Sequence, residues 1–178
     1  MGSILSVINF LDDTTGWSFM SIRTPARTSF FKAITMLGNP EVVVALAIVI
    51  CAFLLYKKQK DYLWGFIVGT GAAEGITYVA KIVFHRARPP YGLIIETDYS
   101  FPSGHATIAV ALYGFILFYI ITKLQTSTVI KILAWTIITA VILLIGISRL
   151  YLGVHYLSDV LVGYMVGAIG LSLGASIV

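Results

Sequence analysis

The chain has 178 residues, 58% of them hydrophobic and only 11% charged, with a mean hydropathy of +0.94. A soluble domain carries charge on about a quarter of its residues, so this composition excludes one and points to an integral membrane protein of single-domain length. The formal net charge of +4 is not gathered into one block, which gives no footing for nucleic acid, and the lone Cys51 excludes disulfides and CxxC redox or zinc motifs.

Residues 1–38 differ from the rest. The run SILSVINFL is too short to cross a bilayer and is interrupted by Asp12 and Asp13, which suits an interfacial helix or the remnant of a longer span. No basic stretch precedes a clean apolar core, so a cleavable signal peptide is not expected. Over residues 28–37, Phe30, Phe31, Ile34 and Leu37 recur at helical spacing with Lys32 off that face. The spacing predicts an amphipathic helix on the membrane surface.

Five apolar segments follow, read as membrane helices. The first covers residues 42–56, after Pro40, a residue suited to a helix start, and KKQKD ends it. The second covers 62–84, the third about 106–121 and the fourth 132–148. The fifth starts near His155 and reaches the C-terminus. The expected fold class is all-α: a polytopic transmembrane helical bundle of about five spans plus an N-terminal amphipathic segment. One membrane-embedded domain covers 1–178, with 1–38 interfacial and 39–178 forming the bundle that holds the site. Gly163, Gly167, Gly170 and Gly174 on the last segment, and Gly65 and Gly69 on the second, form small-residue stripes that let helices approach closely in lipid.

Lys57, Lys58 and Lys60, and then Lys123 and Lys131, lie in loops on one side if every segment crosses. The positive-inside rule makes that side cytoplasmic, although Arg23, Arg27 and Lys32 fall on the other. The outer side then receives residues 81–102 and 149–155. All three histidines of the chain sit at this boundary. Lys81, His85, Arg86 and Arg88 close the second span, Ser103, Gly104 and His105 open the third, and Arg149, His155 and Asp159 flank the fifth.

Each feature alone has a structural explanation. Lys81 and Arg88 suit headgroup snorkelling, Pro102 and Ser103 suit a helix start, and Arg149 suits the end of a span. Together they define a site. His105, His155 and Asp159 match a zinc ligand set, but Lys81, Arg88 and Arg149 would then crowd a dication. Around an anion those cations make sense, since arginine forks match phosphate oxygens. Backbone N–H groups from Ser103 to His105 add an anion cradle at a helix N-terminus.

Given a phosphate, His155 and Asp159 sit four residues apart on one helix face. Asp159 holds one ring nitrogen while the other attacks phosphorus. His105 suits the general acid for the leaving oxygen, and the cations offset charge developing on the equatorial oxygens. No metal or cofactor is called for. Glu74, two turns before Lys81, is expected to make a structural hydrogen bond rather than touch substrate.

The runs Lys81-x6-Arg88-Pro89, Pro102-Ser103-Gly104-His105 and Ser148-Arg149-x5-His155-x3-Asp159 resemble, in order and spacing, the three-part signature of the type 2 phosphatidic acid phosphatase superfamily. The resemblance implies phosphate binding by Lys81, Arg88, Ser103, Gly104 and Arg149, with His155 as nucleophile, His105 as acid and Asp159 as its partner. It implies a metal-independent membrane lipid phosphatase acting through a phosphohistidine, its site on the extracytoplasmic face of the cell membrane. The implied substrates are undecaprenyl diphosphate, phosphatidylglycerophosphate or phosphatidic acid. Bacterial membrane members have six spans, so the first is expected to be missing or shortened into residues 1–11. The alternative is a membrane protein that binds anionic headgroups without catalysis, for which the cations would suffice.

Overall fold

The computed structural model describes residues 2–178. Helix α1 runs unbroken over Gly2–Ser21, past the two aspartates that end the apolar run. The reason is tertiary. Asp12 is buried and accepts hydrogen bonds from Arg86 and Ser158, so its charge is matched where sequence alone offers no partner. Residues 4–11 of α1 remain largely exposed and apolar.

Helix α2 spans Pro25–Thr35, with Pro25 in its first turn and the Thr24 hydroxyl accepting from Arg27 N at 3.3 Å, a side-chain cap on orphan amides. A 3-10 turn, Met36–Gly38, leads into α3, Pro40–Tyr56. The two halves, Pro25–Gly38 and Pro40–Tyr56, are bent by 44° and together are apolar and long enough for one broken span. The amphipathic segment therefore continues into α3, and its Phe31 stacks on Tyr151 at 4.3 Å.

Four further helices are each long and apolar enough to cross a membrane: α4, Lys60–Phe84; α5, Gly104–Thr122; α6, Thr128–Tyr151; and α7, Leu157–Ala175. With the bent pair, the count agrees with the five segments read from the sequence. Helix α4 ends on His85, whose left-handed backbone (φ 46°) closes the helix. Helix α5 carries one π turn over Ala109–Tyr113. Ser127 caps α6.

The centre of the bundle is the contact of α4 with α7. A Cβ on Gly170 would lie 2.5 Å from Gly69 O, and one on Gly65 would lie 2.6 Å from Gly174 O. Backbone meets backbone there, so the stripe read from the sequence is a packing device. The other part of the stripe faces α5, where a Cβ on Gly163 would fall 2.7 Å from Ser103 O. Aromatic and aliphatic side chains fill the opposite half, Phe66 packing on Phe115 at 5.2 Å with Leu54, Tyr62 and Leu112 around them. In lipid, apolar faces gain little by leaving the solvent, and close van der Waals approach holds the helices.

A side chain forced into the α4–α7 seam should therefore separate the helices. Gly170→Val is expected to destabilise the protein by roughly 1–3 kcal/mol, as overpacking does. Gly71→Ala on α4 has nothing within 4 Å of the added carbon and should be neutral or slightly stabilising. Thermal unfolding of both variants in one detergent tests the contrast.

Candidate active site

The ends of the helices converge at one end of the bundle. Lys81 lies in the last turn of α4 and Arg88 in the loop after it. Ser103 precedes α5, and Gly104 and His105 open it. Arg149 lies in the last turn of α6. His155 sits in the short link before α7, and Asp159 in the first turn of α7. A cavity of about 560 Å³ is lined by Lys81, Arg88, Gly104, His105, Arg149 and His155. Ser103 and Asp159 are fully buried. Every candidate residue read from the sequence is thus in one cluster.

His155 is arranged differently from the expected helix face. Helix α7 begins at Leu157, so His155 precedes it, and Asp159 reaches back as an N-terminal capping residue. Its Oδ2 accepts from Tyr156 N at 2.9 Å and lies 3.5 Å from His155 Nδ1. Arg88 Nη1 lies 3.1 Å from His155 Nε2. A guanidinium only donates, so Nε2 accepts and the neutral ring carries its proton on Nδ1, facing Asp159. Burial pushes His155 down from the usual imidazole range to about 4, with the Arg149 and Arg88 charges adding to it and Asp159 opposing. At neutral pH the ring is uncharged and its unprotonated nitrogen faces Arg88.

Those cations are occupied by two acids that the sequence reading did not single out. Arg149, itself buried, donates to Glu96 Oε1 and to Thr35 Oγ1, the latter at 2.8 Å. Arg88 pairs with Asp98 Oδ1 and, at 3.9 Å, with Glu96 Oε2. Lys81 lies 3.0 Å from Asp98 Oδ2 and bonds to Tyr99 O. Burial works against ionisation of Asp98. Hydrogen bonds from Lys81 and Arg88, with their charges, outweigh it and hold the carboxyl at about 2. Three buried groups at this cluster, Ser103 Oγ, Arg149 Nε and His155 Nδ1, have no hydrogen-bond partner among the described residues; Nδ1 faces Asp159 Oδ2 at 3.5 Å, and the other two suit a ligand that accepts hydrogen bonds.

His105 Nε2 lies 3.0 Å from Asn39 Oδ1 and 3.4 Å from Arg149 Nη1, so the break between α2 and α3 steers this ring. The cradle at the start of α5 is narrower than expected, because Ser103 N donates to Asp159 O at 3.0 Å. The first bond of the helix is Thr107 N to Ser103 O, leaving the amides of Gly104 and His105 ahead of it. Among the described residues Glu74 does not make the structural hydrogen bond expected of it. It lines the cavity with Pro40, Val43, Val44 and Tyr78 on its lipid side. His85 packs edge-on against Tyr99 at 4.6 Å and does not line the cavity.

Asp12, Thr35, Asn39, Arg86, Glu96 and Asp98 are the neighbours that the sequence reading missed as site groups. For Glu96 and Asp98 a signal existed: two acids in a loop between the halves of a cation cluster. Asn39 ahead of Pro40 carried only the signature of a helix start.

Comparison with known proteins agrees with this geometry. The model of the PAP2 superfamily matches residues 62–178. The chain is 31% identical over 164 residues to phosphatidylglycerophosphatase B of Bacillus subtilis (strain 168), covering 91% of this chain and 80% of the relative. It is 32% identical over 124 residues to an undecaprenyl-diphosphatase of Sulfolobus acidocaldarius, covering 65% of this chain and 54% of that protein. Its fold superposes with a TM-score of 0.87 and 29% identity on the crystal structure of a transmembrane PAP2-type phosphatidylglycerolphosphate phosphatase from Bacillus subtilis, over 99% of this chain and 86% of that one. The chain therefore belongs to the PAP2 superfamily, as a multi-pass membrane protein of its lipid-phosphatase branch.

Proposed function

We propose that this protein removes the terminal phosphate of a lipid phosphate or diphosphate at the extracytoplasmic face, through a phosphohistidine on His155 and without a metal. The observation that carries the reading is the neutral His155 ring, its Nε2 beside Arg88 in a pocket that Lys81, Arg88 and Arg149 also line. A headgroup-binding protein would need the cations but not an imidazole with a fixed tautomer. The same three cations favour a bound anion over a divalent metal, since each would repel the ion.

Arg88 turns from His155 Nε2 onto an oxygen of the incoming phosphate, freeing the ring lone pair. Nε2 then attacks phosphorus in line, the P–N bond forms, and the P–O bond to the lipid breaks. The seated phosphate, an opposite charge beside His105, favours the charged ring there, and the departing oxygen takes its proton. Lys81, Arg88, Arg149, the Ser103 hydroxyl and the first amides of α5 hold the three equatorial oxygens. Asp159 stabilises the positive ring that forms. Water then attacks the phosphohistidine and gives a proton to His105, the P–N bond breaks, and inorganic phosphate leaves. The lipid chains extend along the Val43, Val44 and Tyr78 wall between α3 and α4. Phosphatidylglycerophosphate heads the substrate panel, followed by undecaprenyl diphosphate and phosphatidic acid.

His155→Ala should abolish turnover of every substrate. His105→Ala should lose on the order of 10²–10⁴-fold on phosphatidic acid, whose alkoxide leaves poorly. It should lose less on a lipid diphosphate and least on an activated aryl phosphate. Equal losses across the three would remove the acid role from His105. Activity should persist in saturating chelator, and revival of a chelated, inactive enzyme by zinc or magnesium would overturn the metal-free mechanism.

Phosphate and the loop acids compete for the same cations. Glu96→Gln should therefore bind orthophosphate, as a product inhibitor, on the order of tenfold more tightly, since a charge-assisted hydrogen bond of about 1.5 kcal/mol no longer has to be broken. An unchanged inhibition constant would show that phosphate binds without displacing Glu96.

The face of the site follows from labelling intact cells with an impermeant thiol reagent in a Cys51→Ser background. Ile95→Cys, in the loop over the cavity and 95% exposed, should label. Gln59→Cys, in the turn between α3 and α4, should not. The reverse pattern would invert the topology.

A further inference from the structure

Behind His155, away from the cavity, lies a second charged cluster. Asp159 Oδ2 is engaged by Tyr156 N and faces His155, while its Oδ1 receives Arg86 Nη1 at 2.5 Å. Asp159 is fully buried, so without Arg86 that second oxygen would have no charged partner in apolar surroundings, a costly arrangement. Arg86 is held in turn. Its Nη2 donates to Asp12 Oδ2 at 2.7 Å, its Nη1 also reaches Ser158 Oγ at 2.7 Å, and the guanidinium lies 4.1 Å above the Tyr156 ring. Asp12 completes the frame by accepting from Ser158 N at 2.9 Å and from Ser158 Oγ at 2.7 Å. None of Asp12, Arg86 and Ser158 lines the cavity. Asp12 comes from α1, outside the span 62–178 matched by the family model.

We infer that Asp12 and Arg86 are positioning residues for the reaction: a carboxylate–guanidinium bridge from α1 fixes the orientation and charge of Asp159 and, through it, the ring of His155. The inference rests on the reading of His155 as nucleophile. Charges alternate along the line, from Asp12 through Arg86 to Asp159, and end at the neutral ring. With Arg86 in place Asp159 is turned so that only one oxygen faces Nδ1, which favours a single tautomer. With Asp12 in place the Arg86 charge is shared, so Asp159 keeps enough of its own to stabilise the imidazolium that forms during attack. The opposite side of His155 faces Arg88, Arg149 and His105, with Glu96 and Asp98 beyond them and Asp13 and Tyr156 near the bridge. Of these, Tyr156 touches the bridge, through the Arg86 guanidinium above its ring.

The alternation makes a prediction that a mere structural staple does not. Removing the Arg86 charge leaves Asp159 more strongly negative toward His155, so the ring takes its proton more readily. Removing the Asp12 charge turns the whole Arg86 charge onto Asp159, so the ring takes its proton less readily. The two changes act in opposite directions. A staple whose loss admits water would move both toward the ordinary imidazole value.

The chain has three histidines, so ring-labelled histidine in the full-length protein in detergent gives three resonances, assigned with His85→Gln and His105→Gln. We expect the His155 titration midpoint to rise in Arg86→Met and to fall in Asp12→Asn, each by about half a unit to one unit, less than a directly paired charge produces. Arg86→Lys should stay close to the parent midpoint, and because a point charge cannot bridge two carboxylates it should recover only part of kcat. Turnover of phosphatidylglycerophosphate should fall roughly 10–100-fold in kcat in Arg86→Met and Asp12→Asn, as when an outer partner of a reactive ring is lost, with KM little changed. Arg23→Gln is the control. It cuts the bonds from Arg23 to Tyr151 O and Tyr91 O beyond the end of α1 without touching the bridge, and should leave the His155 midpoint in place. Midpoints that move together or not at all, or an unchanged kcat in both bridge variants, would refute the relay. Persistent turnover in His155→Ala would instead refute the nucleophile, and the titrations remain readable in either case.

Discussion

A guanidinium buried among apolar helices must find its counter-charge or the structure opens around it. Arg149 is only 1% exposed, and the architecture of this end of the bundle follows from that. Its position in the last turn of α6 puts the charge at the membrane boundary rather than at mid-bilayer. Thr35, from the break between α2 and α3, supplies one acceptor, and Glu96, from the loop over the cavity, supplies the charge. The bent α2–α3 pair and the loop between α4 and α5 are both drawn onto Arg149. They form the walls of the cavity because they are the counter-groups of its deepest cation.

The glycines of α7 make that convergence possible. Gly170 and Gly174 bring α4 in, which carries Lys81, and Gly163 brings in the start of α5, which carries His105. A bulkier residue at either level would separate groups that line one cavity. The His155 ring itself stands just ahead of a helix start rather than on a helix face. Asp159 performs two jobs at once, capping Tyr156 N and facing His155. The capping bond gives the carboxylate a structural reason to stay where the chemistry needs it.

Much of this was legible in the sequence, for a definite reason. The three motif runs are local, and alternate crossings of five apolar segments necessarily bring 81–88, 103–105 and 149–159 to the same side. What stayed hidden depends on contacts between residues far apart in the chain. Asp12 meets Ser158, Thr35 meets Arg149 and Asn39 meets His105 through tertiary packing. Nothing local marks these pairs. Asp12 read only as the end of an apolar run, and the Arg86 that offsets the cost of burying its charge lies 74 residues on. The helix-face reading of His155 and Asp159 had the right partners and the wrong geometry, since four-residue spacing fits an N-terminal cap as well as a helical turn.

The charges across both clusters balance. Lys81, Arg86, Arg88 and Arg149 face Asp12, Glu96, Asp98 and Asp159 through the ion pairs described above. On the reading proposed here, a terminal phosphate takes over the cations held by Glu96 and Asp98. Two carboxylates move away and a dianion takes their position, so the Lys81, Arg88 and Arg149 set faces the same negative charge as before. A phosphodiester of the surrounding bilayer offers only one negative charge for the same exchange. It would leave the Lys81, Arg88 and Arg149 set with one counter-charge fewer than the loop acids supply, at a cost of several kcal/mol where the group is buried. The loop acids thus set the charge a ligand must bring, and a protein immersed in phosphodiester lipids can reserve its reactive histidine for the rarer lipids that carry a terminal phosphate.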